Sequence, residues 1–171
     1  MNLSRPQPAS GNSERNAAPI NPVSRLLSTD DILLDVEAST KTRVFEEVAR
    51  LFERRHGFSQ AQIVENLCAR ESVGSTGLGQ GVAIPHARIK GLQRAVVAYV
   101  RTRLSIPFDA PDGKPVSDML ILLVPEQATD EHLQLLAWSA QMFGDRRFRE
   151  QLRMCEAPGE VCQLFSAWPQ S

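Results

Sequence analysis

Ala95-Val96-Val97-Ala98-Tyr99-Val100 and Met119-Leu120-Ile121-Leu122-Leu123-Val124 decide the fold. A strand with one solvated face alternates polar and apolar side chains; these two runs do not. Unbroken apolar runs of this length fit strands covered on both faces. Between them, Ser105 to Lys114 holds Pro107, Pro111 and Asp112-Gly113, the makings of a turn or irregular hairpin. That connection is too short and too turn-rich for a crossover helix. The segments 94–103 and 118–124 are therefore expected to pair antiparallel.

Working outward, Ile32–Val36 reads as a further strand and Val82–Ile84 as a short one. Residues 40–56 place Val44, Val48, Leu51 and Phe52 on one helical face, and Gly57 stops that helix. Ser59 and Gln62 make a capping box for a helix over about 60–70 that buries Ile63, Val64 and Leu67. Three helices close the chain. Thr129–Phe143 sets Leu133, Leu136, Ala137 and Ala140 on one side, and Asp145–Met154 begins with a cap. Pro158–Trp168 has proline at its first position and turns Val161, Leu164, Phe165 and Trp168 inward. The expected fold class is α/β, a mixed β-sheet flanked by helices on both faces.

The chain has 171 residues, enough for one domain with a full core. Its 19 basic and 20 acidic side chains leave a net charge of −1, which argues against nucleic acid as the main partner. Residues 1–22 are rich in Ser, Asn, Pro and Ala and read as a disordered tail ahead of a single domain over 23–171. Cys68, Cys155 and Cys162 are odd in number and lack Cys-x-x-Cys spacing, so they read as reduced thiols. No apolar run reaches the length of a membrane span and the N-terminus has no signal-like apolar region. A soluble, cytoplasmic protein is expected.

The chemistry concentrates in Gly74-Ser75-Thr76-Gly77-Leu78-Gly79-Gln80-Gly81-Val82-Ala83-Ile84-Pro85-His86. Four glycines within eight positions let the backbone take positive φ and approach a bound group. Successive N–H groups in such a loop can form an anion-binding concavity. His86 then arrives just past Pro85, at the end of a strand, where α/β sheets place ligands. A loop histidine with one satisfied nitrogen reads equally well from His86 alone. His132 falls in the first turn of a helix capped by Thr129 or Asp130, where free N–H groups favour an anion. Asp130 and Glu131 oppose that, and a solvated first-turn residue is the plainer reading. Arg70, at the end of a helix, either reaches a phosphate from the loop's entry or caps helix carbonyls. His56, before Gly57, reads as a helix-end residue.

Other site readings fail. Gly77-x-Gly79-x-Gly81 follows a helix and precedes a strand, the reverse of a dinucleotide fingerprint. Gly-Lys-Ser/Thr is missing, so there is no Walker loop, and no Cys/His spacing supports a metal.

The run from Arg70-Glu71-Ser72-Val73 through Gly74 to Pro85-His86 closely resembles the signature of bacterial phosphotransferase-system IIA proteins of the mannitol/fructose class. Its Gly-Ser-Thr-Gly wording is most similar to the nitrogen-regulatory branch. Leu122-Leu123-Val124-Pro125, Thr129 and His132-Leu133 resemble that family's second block. Ala87-Arg88 stands where the branch often has Gly-Lys. The likeness covers about residues 25–168. It implies a phosphotransferase component with His86 as the phosphorylated histidine, charged by an HPr-like phosphocarrier. It also implies His132 as the second active-site histidine, with Arg70, Ser75 and Thr76 lining the phosphoryl site. No metal or other cofactor is required in that scheme. The resemblance implies regulation of partner proteins, such as a sensor kinase or potassium transport components. The alternative is a sugar-specific IIA component feeding a IIB domain of a permease. An exposed apolar rim, with Leu78 and Ile89 as candidates, is expected to dock the donor.

Overall fold

The two apolar runs form an antiparallel pair, β5 (Val96–Ile106) and β6 (Val116–Pro125), with Tyr99 opposite Leu120 and Val97 opposite Leu122. The computed structural model describes residues 20–127 and 129–169. Of the segment read as a tail, residues 1–19 lie outside the described residues.

Around that pair, β1 (Ile32–Val36) runs parallel to β5, on its far side from β6. β3 (Val82–Ala83) and β4 (His86–Ile89) both run parallel to β6, and β2 (Gly77–Gly79) folds antiparallel onto β3. The sheet is mixed and six-stranded, ordered β1-β5-β6-β3-β2 with β4 also on β6.

Alternation along the central strands explains the unbroken apolar runs. Met119, Ile121 and Leu123 face one core with Ala98 and Val100. Helices α2 (Lys41–His56) and α3 (Gln60–Val73) cover it through Val44, Phe45, Val48, Phe52, Ile63 and Leu67. Leu120 and Leu122 face a second core with Val97 and Tyr99. The short α1 (Pro22–Leu26), α4 (Asp130–Gly144), α5 (Arg146–Met154) and α6 (Pro158–Ala167) pack there. Each central side chain is thus buried on whichever face it points to. One polar pair interrupts this. Tyr99 donates its hydroxyl to the buried Asp118, and burial, reinforced by that carboxylate, pushes the phenol well above its usual pKa.

Three local readings change. Asn21 caps α1, accepting from the amides of Val23 and Ser24, and its side-chain amide donates to the Phe165 carbonyl. Asn21-Pro22 is thus a helix start, with proline at the first position. In α4 the buried stripe is Leu135, Ser139, Met142 and Phe143, and Leu133 is 61% exposed. The strand beginning at Val82 does not end at Ile84. β3 and β4 share one register against β6, with Val82 beside Asp118 and His86 beside Leu122. Pro85 has no N–H to donate, yet its carbonyl still accepts from Leu122 N at 3.0 Å. An edge strand tolerates a proline on those terms.

Asp145 joins three elements. It ends α4 and caps α5, accepting from the Arg147 and Phe148 amides at 2.9 and 3.3 Å and from Trp168 Nε1 at 3.0 Å. The Trp168 N–H, ahead of the two amides, holds its carboxyl below the usual range. A depressed folded-state pKa gives stability that is present above the unfolded pKa and lost as pH falls through the folded one. Asp145→Ala is expected to lower the unfolding free energy by about 1–2 kcal/mol at neutral pH. In denaturant titrations repeated well into acid the difference should shrink; an equal loss at both pH values would contradict the linkage.

Candidate functional site

His86 and His132 line one cleft of about 560 Å³ between α3, β4 and the start of α4, with Arg70, Arg88, Asn66 and Leu133. The pleat of β4 sets the first of these. Ala87 and Ile89 point into the α2/α3 core, so His86 and Arg88 point to the opposite side. α4 delivers the second histidine at its third residue, beside the sheet edge.

The two rings are held in opposite tautomers. His86 Nδ1 lies 2.9 Å from the Ile84 carbonyl oxygen. A carbonyl only accepts, so Nδ1 carries the hydrogen and Nε2 is the lone-pair nitrogen. His132 Nδ1 lies 3.2 Å from Thr129 N and 3.3 Å from Thr129 Oγ1. A backbone N–H only donates, so this Nδ1 accepts and Nε2 carries the hydrogen. The Thr129-x-x-His132 spacing is that of a capping box with histidine in place of glutamate. One cleft therefore holds an imidazole nitrogen able to attack and another able to donate.

Arg70 lies in the last turn of α3 and donates to the Gly74 carbonyl at 2.9 Å. It serves the helix end, as one of its two readings expected, and also lines the cleft. A guanidinium has five N–H donors, and that contact uses one nitrogen.

Ser75 and Thr76 are placed otherwise, outside the cleft lining. Ser75 donates its hydroxyl to the Phe108 carbonyl at 2.7 Å and accepts from Gly77 N. Thr76 is buried and gives its hydroxyl and its amide to the Glu71 carboxylate at 2.6 and 3.0 Å. The anion this loop holds is the chain's own Glu71, which also takes Lys41 Nζ at 3.0 Å. The glycines answer to backbone geometry. Gly79, Gln80 and Gly81 all have positive φ, making the turn between β2 and β3. A Cβ on Gly77 would come within 2.8 Å of the Ala110 Cβ.

The expected docking residues divide as well. Ile89 is 2% exposed and belongs to the core, as the inward phase of β4 requires. Leu78 is partly exposed but lines a different cleft, with Phe143, Arg146 and Arg149. The large exposed apolar side chain at the His86 cleft is Leu133. His56 sits away from the cleft, its ring stacked 5.5 Å from that of Phe58.

Comparisons with known proteins agree with this architecture. Residues 25–168 match the family described as phosphoenolpyruvate-dependent sugar phosphotransferase system, EIIA 2. A nitrogen regulatory protein of Pseudomonas aeruginosa is 43% identical over 141 residues, covering 82% of this chain and 92% of the relative. The crystal structure of nitrogen regulatory protein IIA-Ntr from Neisseria meningitidis has a TM-score of 0.79 and 48% identity, covering 84% of this chain and 98% of that one. The IIA mannitol structure from Escherichia coli shares the fold, with a TM-score of 0.68 at 20% identity over 81% of this chain and 98% of that one. A mixed sheet flanked by helices on both faces is thus the IIA architecture of the mannitol and nitrogen-regulatory type. The chain belongs to the EIIA type 2 family of the phosphotransferase system, and the Pseudomonas and Neisseria relatives, both above 40% identity, are nitrogen regulatory proteins.

Proposed function

We propose that this protein is a nitrogen-regulatory phosphocarrier that accepts a phosphoryl group on His86 Nε2 from an HPr-like phosphohistidine carrier. The carrying observation is the pair of opposite tautomers in one cleft. The His86 Nε2 lone pair forms the new N–P bond. The bond between phosphorus and the donor's imidazole nitrogen breaks, and its electron pair returns to that ring. No proton has to leave His86, because Nδ1–H stays on the Ile84 carbonyl. His132 Nε2–H and the free N–H groups of Arg70 meet the phosphoryl oxygens, where charge is held through the transfer. Ser75 and Thr76 act in this scheme by holding the loop that ends at Ile84. Regulation of partner proteins by phosphorylation state follows the nitrogen-regulatory relatives; a sensor kinase or potassium transport components are the targets proposed. Among the described residues no helix is long and apolar enough to cross a membrane, and the site of action proposed is the cytoplasm. The sugar-specific alternative draws on shorter or weaker likenesses: a fructose-specific EIIA component of Haloferax volcanii at 34% identity over 60% of this chain, and the mannitol IIA protein, which at 20% carries the fold alone.

The test is incubation with phosphoenolpyruvate, the first enzyme of the system and its HPr-like carrier. An acid-labile, base-stable label on the chain is expected, and its absence would sink the proposal. His132→Ala is expected to slow transfer about a hundred- to a thousandfold, since one preorganised donor is lost. Its thermal unfolding should move little, because only a first-turn contact to Thr129 is removed. Unchanged single-turnover kinetics would take His132 out of the site.

A further inference from the structure

The His86 cleft is not isolated. A second cleft of about 420 Å³ adjoins it, and His132 lines both. The second is walled by Arg25, Leu26, Arg94 and Glu131. The charged residues lining the two together are Arg25, Arg70, Arg88 and Arg94 against the single Glu131. That local excess of three positive charges stands in a chain whose net charge is −1.

These cations are also left open. Elsewhere many are neutralised in place: Arg43 by Glu46, Arg50 by Glu47, Arg55 by Asp30 and Asp31, Arg103 by Glu37, Arg146 by Glu150. Arg25, Arg88 and Arg94 are exposed and have no ion-pair partner among the described residues. The same two clefts carry the exposed apolar side chains Leu26 and Leu133. An apolar centre with a charged rim is the anatomy of a transient protein interface.

We propose that Arg25, Arg88 and Arg94 form a docking rim for the protein that delivers the phosphoryl group, and that this partner carries acidic side chains around its own reactive centre. The proposal rests on the reading of His86 as acceptor. Complementary rims steer encounter and fix register. A second copy of this chain would bring arginine rims face to face, so self-association through this surface is disfavoured. A nucleic acid is a poorer fit, because Glu131 stands inside the rim and the chain is acidic overall.

The test uses the full chain and its HPr-like carrier. The affinity of wild type for the unphosphorylated carrier is measured across ionic strength, which separates docking from attraction of the phosphoryl group. Affinity should fall as salt rises from low to about half-molar, where the Debye length drops to a few ångströms. Arg25→Glu/Arg94→Glu should reduce both that affinity and the transfer rate at least about tenfold at low salt. Arg25→Gln/Arg94→Gln should give a smaller loss. Because these side chains are exposed, circular dichroism should report the same fold. Affinity and rate unchanged by charge reversal, or raised by it, would overturn the proposal. So would a dimer or bound nucleic acid in wild type that the reversal removes while carrier affinity stays the same. Wild type is treated in parallel with phosphoramidate, which needs no partner protein. A His86 label there, with carrier docking insensitive to the reversal, rejects the rim alone. No label from either donor rejects the acceptor reading beneath it.

Discussion

His86→Ala, incubated with phosphoenolpyruvate and the two upstream proteins, is expected to carry no acid-labile label above background. The loss should be complete because neither of the other two histidines is placed to replace the proposed nucleophile. Of the three histidines, His132 has Nδ1 engaged by Thr129 and presents Nε2 as a donor. His56 is stacked on Phe58 at the end of α2, away from the cleft. His86→Gln should be as inactive, since an amide nitrogen has no lone pair available for attack. Both variants should stay folded. The half-buried ring gives up one side-chain hydrogen bond, a loss of about 1 kcal/mol. The assay therefore separates chemistry from stability: label and unfolding midpoint are read on the same preparations. Labelling of His86→Ala equal to wild type would place the acceptor elsewhere.

How far this site was readable follows from which interactions are local. The β5 and β6 runs announce a doubly covered pair because every residue in them is buried whichever way it points. The partner of each histidine also lies within three residues, Ile84 for His86 and Thr129 for His132. What lies between distant segments left no periodic trace. Glu71 meets Lys41 across thirty positions of chain, a contact that no periodicity announces. α4 misled for a different reason. Leu133, Leu135, Leu136, Ala137, Ala140, Met142 and Phe143 cover most of its circumference, and two stripes fit a helical period equally well. The position of the sheet and α1 chose the stripe through Leu135 and Met142, and the other kept Leu133 at the cleft mouth. Ile89 falls in the core and not on a rim because the strand continues past Pro85 and its pleat turns Ile89 inward.

Glu71→Ala is expected to be the most destabilising polar substitution near the site, by about 3 kcal/mol. The carboxylate is buried and accepts from Lys41 Nζ, Thr76 N and Thr76 Oγ1. Removing one partner of a buried ion pair typically costs 3–5 kcal/mol, because the other charge is left uncompensated. The lower end applies here. Lys41 retains the exposed Asp109 at 3.6 Å and the Phe108 ring at 4.5 Å, so its charge is not stranded. The buried Thr76 amide has no such reserve. Glu71→Gln keeps an acceptor for that amide and should lose about half as much. The effect should reach His86, the proposed acceptor, through the backbone. Thr76 receives the Ile84 amide at 3.1 Å, and Ile84 in turn holds His86 Nδ1. Freeing Thr76 loosens the carbonyl that fixes the His86 tautomer. Amide hydrogen exchange at Thr76 and Ile84 should therefore rise in Glu71→Ala, and labelling per folded molecule should slow. Denaturant titration of the two variants decides the first point: equal losses for Ala and Gln would show that the carboxylate's charge is not the source. Unchanged exchange at Ile84 would break the link from this buried carboxylate to the chemistry at His86.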